Sequence, residues 1–331
     1  MRIAIDAHGG DNAPLEIIKG CHLAVKELGV DITLVGREQQ IREIMQAEKI
    51  DENEFEIVNA DTILTMEDEP TSVIREKKDS SMAVAFSLVK EGKCDAVVSA
   101  GNSGAVLVGA TMIVKRIKGV KRAALAAVFP SETGPVMATD LGANVECKPE
   151  YLVQFAMLAS EYMKNMFGIE SPRVGLLNNG TEEHKGTPLQ QEAYKLLKET
   201  EGVNFAGNVE GREIAFGGID VIVTDGYSGN IMLKTYEGVG KMISANVKGM
   251  FKKNLLTKIG ALFVYGELGA FKKKLDYKEY GGAPLLGISK PVIKAHGSSD
   301  ARSFKNAIRQ AVEFDKSGMI DVITEKLSNQ Q

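Results

Sequence analysis

Tryptophan is absent from this chain of 331 residues, cysteine occurs three times and proline nine times. The cysteines, Cys21, Cys94 and Cys147, are odd in number, widely spaced and form no Cys-x-x-Cys pair. That argues against a disulfide framework and a zinc ribbon, and fits a reducing cytoplasm. No apolar run approaches the ~20 residues of a membrane-spanning helix. The start, Met1-Arg2-Ile3-Ala4-Ile5-Asp6, reads as a strand carrying an acid rather than a secretory leader. A net charge of −4 argues against a general nucleic-acid binder. Several catalytic signatures are missing too. There is no Gly-x-Ser-x-Gly elbow and no His-Glu-x-x-His. No Gly-x-Gly-x-x-Gly follows the first strand. The pairs Gly92-Lys93 and Gly240-Lys241 lack the Ser or Thr of a Walker loop. The four histidines, His8, His22, His184 and His296, have no metal-ligand spacing, so no metal and no cofactor is expected.

What is abundant is glycine, 34 residues, in a chain that is 44% hydrophobic and 25% charged. At roughly 150 residues per domain the length suits one large or two ordinary domains. Short apolar runs alternate with longer amphipathic stretches, which reads as α/β. Strands are expected at Arg2–Ala7, Ile32–Gly36, Phe55–Asn59, Ala96–Ser99, Ala124–Phe129, Val174–Leu177, Val221–Thr224 and Val292–Ala295. Helices are expected at Glu16–Leu28, Arg37–Glu48, Tyr151–Phe167, Pro188–Glu199 and Ile231–Val247. Strands such as Ala96-Val97-Val98 are apolar on both faces and belong in a covered, mostly parallel sheet.

Five polar, glycine-rich turns follow strands and open helices. They are residues 6–14 (Asp6, Gly9, Gly10), 99–105 (Gly101, Asn102, Ser103, Gly104), 178–188 (Lys185, with Thr187 and Gln190 as a capping box), 224–230 (Asp225, Gly229, Asn230) and 296–300. Helix starts at the carboxyl ends of strands suit anions, because free N–H groups and the positive dipole end point there. Any one such turn is explained by capping alone. Five together point to a small anion such as phosphate. His8, His184 and His296 lie in these turns, as proton carriers or as hydrogen-bonding loop residues.

Charge is uneven. Residues 248–274 hold seven lysines and one acid, Glu267, so the segment is +6 and the remainder −10. A second basic run includes Lys115, Arg116, Lys121 and Arg122. Each is either a solvated face or a steering patch. At about 100° per residue, Phe251, Leu255, Leu256, Ile259, Leu262 and Phe263 share an arc of roughly 140° of a single helix. Lys253 and Lys258 lie outside the arc, and Lys252 interrupts it. This reads either as a core-facing helix or as one lying in a lipid interface.

Eight ordered motifs span nearly the whole chain: Ile5-Asp6-Ala7-His8-Gly9-Gly10-Asp11, Ser99-Ala100-Gly101-Asn102-Ser103-Gly104-Ala105, Asp140-Leu141-Gly142-Ala143-Asn144, Leu176-Leu177-Asn178-Asn179-Gly180, Lys185-Gly186, Thr224-Asp225-Gly226-Tyr227-Ser228-Gly229-Asn230, Tyr280-Gly281-Gly282-Ala283-Pro284-Leu285-Leu286-Gly287 and His296-Gly297-Ser298-Ser299. Together they resemble the bacterial phosphate acyltransferase (PlsX) family. His8 departs from the family's usual Met, which argues against an essential role for it. Tyr227 stands where Phe is common.

The resemblance implies a three-layer α/β/α fold with a mostly parallel sheet, like isocitrate and isopropylmalate dehydrogenases and phosphotransacetylase. It implies one such domain over residues 1–331 with a central cleft, the basic amphipathic helical segment 248–274 protruding, and a homodimer. The implied reaction moves a fatty acyl group from acyl carrier protein to inorganic phosphate. The acyl phosphate then feeds a membrane glycerol-phosphate acyltransferase in phospholipid synthesis. The implied location is cytoplasmic, peripheral to the inner face of the cell membrane. Phosphate dianion is already a nucleophile near neutral pH and a thiol leaves readily, so positioning and charge neutralisation suffice. On that chemistry Lys185, Asn230 and His296 are the expected catalytic residues. Gly101, Asn102, Ser103 and Gly104 are expected to cradle phosphate, with Asp6, Gly9, Gly10, Asp225 and Gly229 in support. Lys115, Arg116, Lys121, Arg122, Phe251, Lys252, Lys253, Leu255, Lys258 and Ile259 are expected to meet the acidic carrier protein or the membrane surface. The alternatives are an acyl-CoA:phosphate acyltransferase of the same fold and a non-catalytic membrane scaffold for lipid synthesis.

Overall fold

The computed structural model describes residues 1–264, 266 and 281–328. Its strands are β1 (Arg2–Asp6), β2 (Asp31–Gly36), β3 (Glu56–Asn59), β4 (Ala96–Ser99), β5 (Ala124–Pro130), β6 (Pro135–Thr139), β7 (Arg173–Asn178), β8 (Asn204–Glu210), β9 (Val221–Val223), β10 (Ala283–Leu286) and β11 (Val292–Lys294). Its helices are α1 (Leu15–Leu28), α2 (Glu38–Ala47), α3 (Ser81–Lys90), α4 (Ser103–Gly109), α5 (Pro149–Phe167), α6 (Pro188–Glu199), α7 (Gly226–Lys252), α8 (Leu255–Phe263), α9 (Ala301–Lys316) and α10 (Met319–Ser328).

The strands form one eleven-stranded sheet in the order β3-β2-β1-β4-β11-β10-β5-β6-β9-β7-β8. The block from β3 to β11 is parallel, and so is the block from β6 to β8. Three antiparallel steps lie between them, β11 to β10, β10 to β5 and β5 to β6. An odd number of reversals makes the two blocks run in opposite directions. Their carboxyl ends therefore lie at opposite edges of the sheet.

Alternation along the strands sends Ile3 and Ile5 to one face and Ala4 to the other. The first face packs on α1, α2, α5, α6, α9 and α10. The second face packs on α3 and α4 and, in the other block, on the Met232, Leu233 and Tyr236 side of α7. This gives the three layers expected.

α6 begins as its residues dictate, with Pro188 at the first helical position and the Thr187–Gln190 capping box closed. The single helix expected over 251–263 is instead two. α7 ends at Lys252, and Asn254 turns extended and caps α8, its Oδ1 accepting the Thr257 N–H at 2.9 Å. Asn is a strong N-cap and a weak helix interior, so the chain restarts there. The arc computed for one continuous helix is thereby broken between Lys252 and Leu255. Lys272, Lys273 and Lys274 lie outside the described residues. Of the 27 residues of α7 only Gly226, Gly229 and Glu237 are buried. No described helix is long and apolar enough to cross a membrane.

Candidate active site

At the carboxyl edge of the first block three turns converge. Asp6 ends β1 and is fully buried. Its Oδ1 accepts from Ser81 Oγ at 2.6 Å, and its Oδ2 from Ser99 Oγ at 2.7 Å. Ser99 Oγ in turn accepts the Gly101 N–H at 3.1 Å, so the carboxylate fastens the 99–105 turn through one hydroxyl. Gly9 has to be glycine here: a Cβ would lie 2.6 Å from Gly101 N and 2.5 Å from Asp6 Oδ2. Asp11 N–H donates to Gly297 O at 2.8 Å, which draws the turn after β11 against the turn after β1.

Asn102 is more committed than the sequence suggests. Its Oδ1 accepts the Ala105 N–H at 3.1 Å as the N-cap of α4. Its Nδ2 donates to Met66 O at 3.0 Å and Asp68 O at 3.3 Å. The amide thus holds the loop 65–68 onto the turn, and its donors are used. Ser103, beside it, is exposed. His8 is buried, and its Nε2 accepts the Arg37 N–H at 2.9 Å. Burial holds its pKa below the ordinary imidazole value, Asp6 opposes that shift and Arg37 adds to it.

One residue of this edge escaped the sequence reading. Lys294, the last residue of β11, is only 7% exposed. Its Nζ donates to Ala295 O at 2.6 Å and Ala100 O at 3.4 Å. Burial depresses its pKa to about 8, the charge of Lys234 adds to the shift, and Asp11 and Asp6 oppose it. The available signal was a single cation ending the apolar run Pro291-Val292-Ile293. His296 follows two residues later. Its Nδ1 accepts the Ser298 N–H at 3.2 Å, which leaves Nε2 facing Glu237 Oε1 at 3.8 Å. Glu237, on α7 and 8% exposed, is also paired with Lys234 at 3.1 Å. Neither Lys234 nor Glu237 was singled out in the sequence, because an i, i+3 pair on a helix is commonplace.

The other turns gather at the opposite edge. Asp140, just past β6, is fully buried and accepts N–H groups of Leu125 (2.9 Å), Ala143 (3.0 Å) and Asn144 (2.6 Å). Burial raises its pKa, and these hydrogen bonds and the Asn144 amide oppose the rise. Asp225 caps α7 by accepting the Ser228 N–H at 2.9 Å, and its Oδ2 lies 3.5 Å from Gln190 Nε2. That contact joins the starts of α6 and α7. Asn230 is exposed and its side chain lies against Gly142. Asn178 Nδ2 donates to Lys185 O at 3.2 Å and Asn208 Oδ1 at 3.0 Å, clasping the 178–187 loop. Lys185 Nζ is half-exposed and stands 4.0 Å from Glu182 Oε1.

The five turns thus form two groups. Asp6, Gly9, Gly10, Gly101 to Gly104 and His296 are in one; Lys185, Asp225, Gly229 and Asn230 are in the other. Among the described residues no hydrogen bond or ion pair joins Lys185 to the first group. The reversal of the second sheet block is the reason. The two groups are linked by α7, which starts beside Asn230 and reaches His296 at Glu237. The basic run 115–122 is partly folded back. Arg116 donates to Lys121 O, and Arg122 lies over the Tyr151 ring at 5.6 Å. Lys115 and Lys121 are exposed, as are Lys252, Lys253, Leu256 and Phe263.

The family profile described as fatty acid synthesis protein matches residues 1–322. A phosphate acyltransferase of Clostridium botulinum (strain Okra / Type B1) is 48% identical over 335 residues, covering 99% of this chain and 98% of that one. One of Clostridium acetobutylicum is 46% identical over 328 residues, covering 99% of each chain. Among solved structures, a phosphotransacetylase from Streptococcus pyogenes superposes with a TM-score of 0.65 at 16% identity, covering 96% of this chain and 94% of that one. At that identity the likeness is one of fold.

Proposed function

We propose, for a chain that belongs to the phosphate acyltransferase family, that its acyl donor is the thioester of acyl carrier protein and its acyl group a fatty acid. Membership makes the chain an enzyme that transfers an acyl group to phosphate. In the reaction a phosphate oxygen forms a bond to the thioester carbonyl carbon. The tetrahedral oxyanion collapses, the C–S bond breaks, and the thiolate leaves and takes a proton from water. With a thiol pKa of about 8.5 the leaving group needs little acid help.

The observation that carries this reading is the meeting of Gly9, Gly10 and Gly101 beside Asp6 and the buried Lys294. The wall is mostly backbone, with a cation at its base, and an oxyanion suits it. Phosphate is assigned to this edge, at Gly101, Asn102, Ser103 and Gly104. Because the Asn102 side chain is spent on its cap, the first-turn N–H groups of Ser103 and Gly104 take its part. Lys185 and Asn230 are assigned to the thioester oxygen as it gains charge, which requires the two groups of turns to close on the one carbonyl carbon that phosphate attacks. His296 donates a hydrogen bond from Nε2 in place of its contact to Glu237. Asp6, Asp225 and Gly229 shape the turns. The expected central cleft is assigned to the second face of the sheet, along α7.

Lys115, Arg116, Lys121, Arg122, Lys252, Lys253 and Lys258 are assigned to steering the acidic carrier protein or to an anionic membrane surface. Leu256 and Phe263, 80% and 86% exposed, support peripheral contact of segment 248–274 with the inner face of the cell membrane. Phe251, Leu255 and Ile259 belong to the same assignment. The bare flank of α7 supports a homodimer. Acyl phosphate released there would serve a membrane glycerol-phosphate acyltransferase.

Purified protein, acylated carrier protein and orthophosphate test the reading. Phosphate-dependent release of thiol, with acyl phosphate trapped as a hydroxamate, is expected. Faster turnover with acyl-CoA than with the acylated carrier would replace the donor. No acyl phosphate from either would leave a scaffold.

A further inference from the structure

β11 lies inside the sheet between β4 and β10 and is buried throughout. A lysine at its end is therefore costly: an ammonium group loses its hydration and needs a counter-charge or well-placed acceptors. Lys294 has two backbone carbonyls and, among the described residues, no carboxylate within 4.0 Å. Of the acids nearby, Asp11 is exposed and acts from beyond 4.0 Å, and two others are engaged elsewhere. Asp6 holds the hydroxyls of Ser81 and Ser99, and Glu237 is paired with Lys234. The cation is left facing turns built from Gly9, Gly10 and Gly101, where the close backbone packing excludes other side chains. The positive charge of Lys234, on α7, makes the Lys294 ammonium costlier still. Lys294 is the buried charge of the two, since Lys234 is 59% exposed and already paired with Glu237. A buried ammonium without a carboxylate partner is arranged for an anion.

We propose that Lys294 is the residue that binds the attacking phosphate, its Nζ donating to a phosphate oxygen. The inference rests on the reading of the chain as a phosphate acyltransferase and assigns the nucleophile within it. Lys185 then serves the thioester oxygen once the two groups of turns close on the substrate. A single ammonium need not neutralise both the nucleophile and the developing oxyanion.

The first test is Lys294→Met, which keeps the stem and removes the charge. It is expected to raise the phosphate KM at least 30-fold, with the acyl-donor KM within twofold of wild type. A phosphate KM within twofold of wild type overturns the proposal. Binding is read separately from turnover. Orthophosphate is expected to raise the melting temperature of the wild-type protein and of Lys294→Arg, but not of Lys294→Met; an equal rise in Lys294→Met overturns it. Should Lys294→Met fail to fold, the wild-type protein answers alone. Orthophosphate is expected to slow acetic-anhydride acetylation of Lys294, followed by peptide mass spectrometry, at least fivefold. An unchanged rate overturns the proposal. A wild-type protein that makes no acyl phosphate yet shows the Lys294-dependent shift would refute the reaction and keep the anion site.

Discussion

His296 Nε2 and Glu237 Oε1 face each other at 3.8 Å, and this pair ties the turn after β11 to a point three turns into α7. Because α7 begins beside Asn230, the helix spans from one set of strand ends to the other. With Nδ1 engaged by Ser298, the neutral ring carries its proton on Nε2, toward the carboxylate. Glu237→Gln keeps the shape and removes the charge that Lys234 and His296 share. The expected result is a fall of about tenfold in kcat/KM, some 1.4 kcal/mol of transition-state stabilisation. Steady-state kinetics check it. Unchanged kinetics would show that the pair only holds the helix.

Asp6 is where the first edge is fastened. Removing its carboxylate strands two buried hydroxyls, and each hydrogen bond to a charged group contributes about 1.5–3 kcal/mol. Asp6→Ala is expected to destabilise the fold by about 3 kcal/mol or more, and Asp6→Asn by less, since the amide keeps one acceptor. Urea denaturation measures both. A loss below about 1 kcal/mol in Asp6→Ala would mean that water replaces the carboxylate.

How much of this was legible beforehand depends on range. α6 was read to the residue because its signals, Thr187, Pro188 and Gln190, are all local. β4, Ala96–Ser99, was equally plain as an apolar run bounded by polar residues. β6, β8 and β10 were missed. β6 starts on Pro135, and β8 carries Asn204, Gly207 and Asn208 on a half-exposed edge strand, so neither has a clean period. α3 was missed because Met82, Ala83, Ala85, Phe86, Leu88 and Val89 are all buried, which erases the amphipathic signal. The turns themselves were visible, but not their grouping. That grouping depends on the antiparallel steps through β10 and β5, which are long-range pairings. Lys294 was hidden for the same reason: its burial is decided by the strands on either side of β11.

Two glycines of α7 should respond in opposite ways. A Cβ at Gly229 would stand 1.9 Å from Asp140 O, which is backbone and cannot swing aside. Gly229→Ala must displace the helix start that carries Asn230, so activity is expected to fall at least 100-fold, with a melting temperature lower by several degrees. At Gly238 nothing lies within 4 Å. Gly238→Ala is expected to stabilise the helix by about 0.5–1 kcal/mol and to keep full activity. Thermal melts and turnover of the two variants, compared side by side, decide the matter. Loss of activity in Gly238→Ala would mean that this flank of α7 is covered in the working enzyme.

His8 supplies a pH dependence whose sign is fixed by its hydrogen bond. Nε2 accepts from Arg37 N–H, so the folded protein requires the neutral ring, and burial holds the pKa below the ordinary value near 6.5. The unfolded chain then binds more protons than the folded one as pH falls through this range. The contribution of His8 to stability is complete above about pH 6.5 and is lost as pH falls through the lower folded value. His8→Met abolishes the titration and also removes the acceptor, so it should be less stable by about 1 kcal/mol at pH 7.5. Between pH 7.5 and 5 its urea midpoint is expected to fall less steeply than that of the wild type. Parallel slopes in the two proteins would show that the ring takes up no extra proton on unfolding, and that the Arg37 contact does not require its neutral form.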